Sequence, residues 1–153
     1  MLHDLLRIKR IREKSAEEEV RKCKYRVELA VQDLENKKKE LEDYKVWRHK
    51  EEQRLYDNIM NTSVKQFDLD ILKQKVAKLR EKDLVLEEAI KDAEKHLEET
   101  RQQLEQARKQ HVLATQAVQK FEEFTDALDQ EEAKEKARLE ELELEEFTPR
   151  NRF

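Results

Sequence analysis

Four histidines, one cysteine and many carboxylates are the side chains of this chain that could bind a metal or act in catalysis. The histidines are His3, His49, His96 and His111. No two are four residues apart, and none follows a glutamate by three positions, although helical zinc and di-iron sites need such spacings to bring their ligands onto one face. The sequence therefore predicts no metal site and no cofactor.

Glycine is absent, and the single proline is Pro149. P-loops, dinucleotide-binding turns and nucleophile elbows all need backbone conformations that only glycine permits. Cys23 has no second cysteine to pair with, and such a residue is typically a small buried side chain in a reducing compartment. We therefore expect a protein that binds partners and is not an enzyme.

The composition narrows the fold class. Of 153 residues, 46% are charged and 37% hydrophobic, with a net charge of −4. A thick core is excluded, which leaves a disordered polyampholyte or a coiled coil. The negative net charge argues against nucleic-acid binding. Because apolar runs are at most three residues long, no membrane insertion is expected.

A heptad pattern decides between these classes. Alternating steps of four and three from Leu72 to Leu128 visit seventeen positions, of which thirteen are apolar. This is a coiled-coil seam. Asp83 and His111 are polar seam positions that we expect to set the register, with Lys37 and Lys45 near Asp83, and Glu13 near His111.

A weaker seam runs from Val20 to Tyr44, and Asn61-Thr62-Ser63 lies between the two seams. Ser63 and Gln66 have capping-box spacing. A short loop there folds two helices back antiparallel. Facing residue numbers should then add to about 124, which pairs Val27 with Leu97, Ala30 with Ala93 and Leu34 with Ile90. A parallel dimer of one long helix remains the alternative.

The predicted fold is thus all-α, a long antiparallel two-helix coiled-coil hairpin with unequal arms, forming one domain. Its predicted parts are helix one at 1–60, a turn at 61–63, helix two at 64–147 with an acidic overhang at 129–147, and a disordered tail at 148–153.

Two segments fit a plain seam poorly and are candidate partner-binding surfaces. Near the N-terminus, apolar residues recur every third position among basic ones, which suits either a broad coil end or a terminus that enters a partner's socket. Around the only tryptophan, aromatic and charged residues are combined as in interface anchors, although packing at a widened coil gives the same pattern. The candidates are Leu2, Leu5, Arg7, Ile8, Lys9, Arg12, Trp47, Arg48, Glu51, Glu52, Arg54 and Tyr56.

The second segment resembles a known family. Trp47-Arg48-x-x-Glu51-Glu52-Gln53-Arg54-Leu55, followed by Tyr56-Asp57, is similar to the central motif of the YscO proteins of bacterial type III secretion. These are similar to the flagellar export protein FliJ. Leu6-x-Ile8-Lys9-x-x-Arg12 and Leu79-Arg80-Glu81-Lys82 add to the resemblance.

The resemblance implies a hairpin like the γ subunit of rotary ATP synthases, acting as central stalk of a hexameric export ATPase. Residues 1–15 with 110–130 would face the ring, and the tip at 55–72 would face the export gate protein. It also implies binding of translocator chaperones, a monomer, a cytoplasmic location at the secretion apparatus, and a part in virulence; export of the protein itself stays open. A generic self-associating scaffold and a hairpin on anionic membranes are the alternatives.

Overall fold

The computed structural model describes residues 1–61 and 65–147, which form two α-helices and no strand. Helix α1 is Leu2–Met60 and helix α2 is Gln66–Phe147. The expected tail at 148–153 lies outside the described residues. The chain divides into a terminal unit, Met1–Val20 with Gln106–Phe153, and a central unit, Arg21–Glu105.

The heptad seam predicted in α2 is buried as expected. Each of its positions from Leu72 to Thr125 is buried or half-buried, and only Leu128 is exposed. In α1 the seam continues towards the N-terminus on the four-three spacing through Leu6 and Ala16. Leu5 and Ile8 therefore fall outside the seam and are exposed.

The core is a thin layer made largely of small side chains. In the central unit, Ala30, Ala93 and Thr100 are almost completely buried. The hydroxyl of Thr100 donates to the carbonyl of Leu97 at 2.8 Å, which satisfies the one polar group in that layer. Small residues at seven-residue intervals let two helix backbones approach closely, so packing here is sensitive to side-chain volume.

Side-chain ion pairs between the helices show that α1 and α2 run antiparallel within each unit, as predicted. The residue numbers of the two partners add to 131 or 132 in every interhelical pair described, whereas the sequence suggested 124. The pairs are Arg48–Asp83, Glu52–Arg80 and Lys45–Glu87 in the central unit, and His3–Asp129 and Arg10–Glu122 in the terminal unit.

The expected register was therefore wrong by one heptad. A seven-residue slide keeps seam on seam, so the apolar pattern fits both registers equally. The charged seam positions distinguish them, because a sum of 124 sets Asp83 against Leu41 with only Lys37 and Lys45 nearby, whereas a sum of 131 sets its half-buried charge directly against Arg48. In the observed register Val27 lies opposite Leu104, Ala30 opposite Thr100, and Leu34 opposite Leu97.

The connection between the helices also differs from the expected capping box. Helix α2 begins at Gln66, so Gln66 is the first helical residue rather than the third. The Lys65 backbone N–H donates to the Asp68 carboxylate at 3.3 Å, which gives Asp68 the capping role and places a negative charge at the positive end of the helix. Ser63 lies outside the described residues.

Candidate functional site

Four charged side chains form a cluster at the seam of the central unit. Arg48 Nε lies 3.0 Å from the Asp83 carboxylate, and Arg48 Nη1 lies 3.1 Å from Glu52 Oε1. Arg80 Nε reaches the same Glu52 oxygen at 3.2 Å. Arg48, Asp83 and Glu52 are each less than a fifth exposed. The partner of Asp83 is thus Arg48, while Lys45 pairs with Glu87 instead.

Contacts within the cluster shift the pKa values of Glu52 and Arg48 from their ordinary values. Burial acts to raise the pKa of Glu52, but hydrogen bonds from Arg80 and Arg48 outweigh it and hold that pKa below its ordinary value. Burial acts to lower the pKa of Arg48, and the Glu52 hydrogen bond and the Asp83 charge more than offset it, so this pKa is raised. Both groups therefore stay charged at neutral pH.

Replacing Glu52 by glutamine should destabilise the fold at neutral pH by about 1 kcal/mol, the scale of a charged hydrogen bond. A carboxyl with a lowered folded-state pKa stabilises the fold above its unfolded pKa, about 4.3, and loses that contribution as pH falls through the folded value. In urea unfolding followed by circular dichroism, wild type and variant should converge in acid. A difference that persists there, or an equal effect of the exposed Glu40→Gln control, would contradict this.

The aromatic residues of the motif have two different environments. Tyr44 is half-buried, donates its hydroxyl to the Leu79 carbonyl at 2.7 Å, and has the ammonium of Lys82 4.9 Å from its ring centroid. Burial and the nearby Asp83 charge raise the pKa of Tyr44. Trp47 packs against Tyr44 with ring centroids 5.7 Å apart, yet half of its surface remains exposed. Of these two residues, Trp47 is therefore the one available to a partner.

Trp47 borders a shallow groove of about 290 Å³ between the helices of the central unit. Leu55 and Leu79 supply apolar surface, and Lys75 and Lys78 supply positive charge. Glu51 holds Arg54 at its edge through two hydrogen bonds of 2.6 and 3.1 Å, and these bonds lower the pKa of Glu51 and raise that of Arg54. The groove combines an aromatic anchor with basic side chains.

The candidate residues of this segment are thus divided among three places. Trp47, Glu51 and Arg54 line the Trp47 groove, and Tyr56 lines a second groove with Leu72 and Val76. Arg48 and Glu52 belong to the ion cluster, and Glu52 also lines the Tyr56 groove.

The N-terminal candidates in the terminal unit are divided in a similar way. Leu2 is half-buried at a seam position, and the ammonium of Lys9 lies 5.4 Å from the Phe121 ring centroid. Leu5 and Ile8 are each 42% exposed. Arg7 and Arg12 are exposed beside them, and together these four form the accessible part of the predicted surface.

Some exposed apolar residues were not singled out by the sequence. In the terminal unit these are Leu113 and Phe124, and near the interhelical connection they are Met60 and Phe67, all more than half exposed. Their departure from the four-three spacing was the available signal, because an apolar residue outside the seam of a two-helix coil has nothing to pack against.

The other polar seam position predicted from the sequence is His111. His111 is half-buried in the seam, and the observed register sets it opposite Val20 instead of Glu13. No group of three or more potential ligands is placed to hold a metal ion within 1–61 and 65–147. Over the same residues, neither helix has a stretch with the length and apolarity of a membrane crossing.

Comparison with known proteins identifies the family. The model of the family described as type III secretion protein YscO matches residues 2–150. The chain belongs to the YscO family. The crystal structure of the YscO type III secretion protein from Vibrio parahaemolyticus, at 2.8 Å resolution, superposes on this YscO-family chain with a TM-score of 0.90 and 31% identity. The match covers 96% of this chain and 92% of that chain.

No curated protein matches the chain significantly. The family resemblance drawn from Trp47 to Asp57 is confirmed, as is the all-α two-helix fold. This YscO-family chain is a type III secretion protein.

Proposed function

We propose that this YscO-family protein is the coiled-coil central stalk of the type III export ATPase, at the cytoplasmic face of the secretion apparatus. In this function the terminal unit contacts the hexameric ring, the interhelical connection contacts the export gate protein, and translocator chaperones are bound and escorted. The protein enters the ring as a monomer and contributes to virulence through secretion.

The exposed apolar and basic surface of the terminal unit is the observation that carries the proposal. Leu5 and Ile8 lie outside the seam and are exposed although α1 has a partner helix alongside. Exposed apolar side chains rimmed by Arg7 and Arg12 are typical of a contact surface. A coiled-coil end with no partner would gain solubility from polar residues at these positions.

An asymmetric two-helix structure inside a ring of identical subunits makes different contacts with each subunit. A ligand that binds two states of a subunit with different affinity shifts the equilibrium between them. The stalk would therefore bias the nucleotide states of successive ATPase subunits, which is a coupling between binding sites and needs no catalytic residue in the stalk itself.

The residues next to the interhelical connection support a second contact. Tyr56, Met60, Phe67 and Leu69 all expose apolar surface next to the interhelical connection, which suits binding to the gate. The Trp47 groove supports chaperone binding, because tryptophan and arginine are enriched among residues that dominate binding energy.

The proposal predicts that the protein stimulates its cognate ATPase, and that the double variant Leu5→Asp with Ile8→Asp loses this stimulation. Each buried apolar side chain contributes about 1.5 kcal/mol or more, so losing two should weaken binding at least about 100-fold. Phosphate release and light scattering of the ATPase, with and without the stalk, measure turnover and hexamer formation. Leu2 is left unchanged, because it occupies a seam position.

A matched control is the double variant Leu84→Asp with Val85→Asp, which changes two apolar residues of the central unit that are also exposed, at 65% and 63%. It should stimulate like wild type, and circular dichroism should show full helicity for both variants. If the unmodified protein alters neither hexamer formation nor turnover, the stalk function is refuted. Unchanged stimulation by the Leu5 and Ile8 variant would place the ring contact elsewhere.

A further inference from the structure

We propose that the terminal units of two copies bind each other reciprocally, with the acidic end of α2 in one copy lying in a basic apolar groove of the other. The inference concerns a second copy of this chain and does not depend on the ATPase. Three observations carry it: an open groove between two helices, a helix segment of matching length with no part of α1 beside it, and opposite charge on the two surfaces.

The groove lies between α1 and α2 within the terminal unit. It has a volume of about 300 Å³ and is lined by Arg12 and Ala16 on α1, and by Leu113 and Ala117 on α2. At 3.6 residues per turn, Leu5 and Ile8 lie on the same flank of α1 as Arg12, and Phe124 lies on the same flank of α2 as Leu113 and Ala117. All four of these apolar residues outside the seam are at least 42% exposed. The groove and these exposed residues together form an apolar trough about three turns of α1 long.

The occupant is the end of α2. His3 pairs with Asp129 at 3.2 Å, so the helix residues after Asp129 have no part of α1 beside them in the terminal unit. The four-three spacing of the seam passes through Glu132 and Glu135 and then returns to apolar residues at Leu139 and Leu142, which are 51% and 46% exposed. Residues 130–147, the part of the predicted 129–147 segment that follows Asp129, are called the overhang below. The overhang presents two leucines on the face that would continue the coil.

Charge selects the groove as the site for the overhang. Residues 130–147 contain eight glutamates against three basic residues, and the segment 1–14 contains five basic residues against two acidic ones. Two overhangs would repel each other, whereas an overhang and a groove attract. Lys9 and Arg12 both line the groove, where the glutamates flanking Leu139 and Leu142 would meet them.

The same chain cannot supply the occupant. Helix α2 is continuous from Gln66 to Phe147 and the chain has no glycine at which it could reverse. Folding the overhang back onto its own groove would require breaking that helix, at the loss of several backbone hydrogen bonds. A second copy brings its overhang to the groove with the helix intact.

The lengths of the two surfaces agree. The overhang of 18 residues spans about 27 Å, and the groove from Leu5 to Ala16 spans about 18 Å at 1.5 Å per residue. If two copies approach with their terminal units facing in opposite directions, each overhang lies along the other copy's groove, and Leu139 and Leu142 reach the level of Ile8 to Ala16. The contact closes on itself with two-fold symmetry and cannot extend into a fibre.

Dimer formation would cover Leu5 and Ile8. The proposed function places the same two residues in contact with the ATPase ring. On that basis the dimer and the ring complex exclude each other, a consequence that rests on the proposed function. The test of the dimer uses this protein alone, so it can fail while the stalk function stands, and the reverse is equally possible.

Sedimentation equilibrium of the full chain over a range of concentrations should show a monomer–dimer equilibrium that weakens as ionic strength rises. The overhang variant Leu139→Glu with Leu142→Glu should weaken dimerisation at least about 100-fold, and so should the groove variant Ile8→Glu with Leu113→Glu. Leu84→Glu, at an exposed leucine of the central unit, should dimerise like wild type.

Mixing the two variants provides the decisive measurement. Each is expected to be monomeric alone, but the intact overhang of the groove variant fits the intact groove of the overhang variant, so the mixture should form a heterodimer with one contact instead of two. A wild-type chain that stays monomeric at every concentration overturns the inference. So does a dimer that survives the overhang substitutions, or a mixture in which no heterodimer forms while circular dichroism shows full helicity.

Discussion

Replacing Leu97 by alanine is expected to lower the free energy of unfolding by about 2.5 kcal/mol, towards the lower end of the range for buried leucines. Leu97 is 7% exposed, at a seam position of the central unit that lies opposite Leu34. The core is only two helices thick, so each layer holds few side chains and a lost one is not replaced by a neighbour from a third element. Water and shifted neighbouring side chains fill part of the space that the Leu97 side chain leaves. This limits the volume of the cavity and therefore the loss of stability.

Leu84 provides the control for this effect within the same helix and unit. It is 65% exposed, so Leu84→Ala should change stability by no more than about 0.5 kcal/mol. Thermal unfolding followed by circular dichroism should place the Leu97 variant about 5–10 °C below wild type and the Leu84 variant close to it. Equal melting temperatures for the two variants would contradict the assignment of the seam.

The contrast between these leucines shows why so much of the fold could be predicted. Four-three spacing is a geometric consequence of two straight helices in contact, so Leu97 and Leu84 were distinguished by position alone. The presence of two helices was equally accessible, because the only cluster of cap-forming residues in the sequence lies between the two seams and neither Leu2–Met60 nor Gln66–Phe147 contains glycine or proline.

The candidate site was predicted less completely, since exposure depends on which face the second helix covers. Trp47, Leu5 and Ile8 were recognised by their residue types, and the structure leaves them exposed. Arg48 and Glu52 have the same types as surface anchors but are held in ion pairs between the helices. Residue type alone does not separate these cases, because an arginine in a coiled-coil seam and one on its surface look alike until the register is known.

The register itself could have been obtained from two charges. Arg48 and Asp83 are both charged residues at seam positions, and only a register sum near 131 brings them together. Matching apolar with apolar left a seven-residue ambiguity, since the heptad repeats. The Arg48–Asp83 pair therefore specifies the register, which the repeating apolar residues do not.

Single and double substitutions of the Arg48–Asp83 pair are expected to differ in their effects on stability. Arg48→Leu should destabilise the central unit by about 2 kcal/mol, because Asp83 is left half-buried without its partner. Combining it with Asp83→Leu should recover most of that loss, since two leucines pack in the seam and no charge is stranded. Urea unfolding of wild type, both single variants and the double variant measures the coupling between the two sites.

The double variant should regain stability but lose its unique register, the single axial alignment of the two helices. With both charges gone, sums of 131 and 124 set apolar residues on apolar residues equally well, and only the interhelical connection opposes a slide of one heptad, about 10.5 Å along the helix axis. Spin labels on Lys38→Cys and Asp92→Cys, with Cys23→Ala to leave no other thiol, would report this in the central unit. Wild-type charges should give one distance and the double variant two, whereas a single distance in both would show that the connection fixes the register without the ion pair.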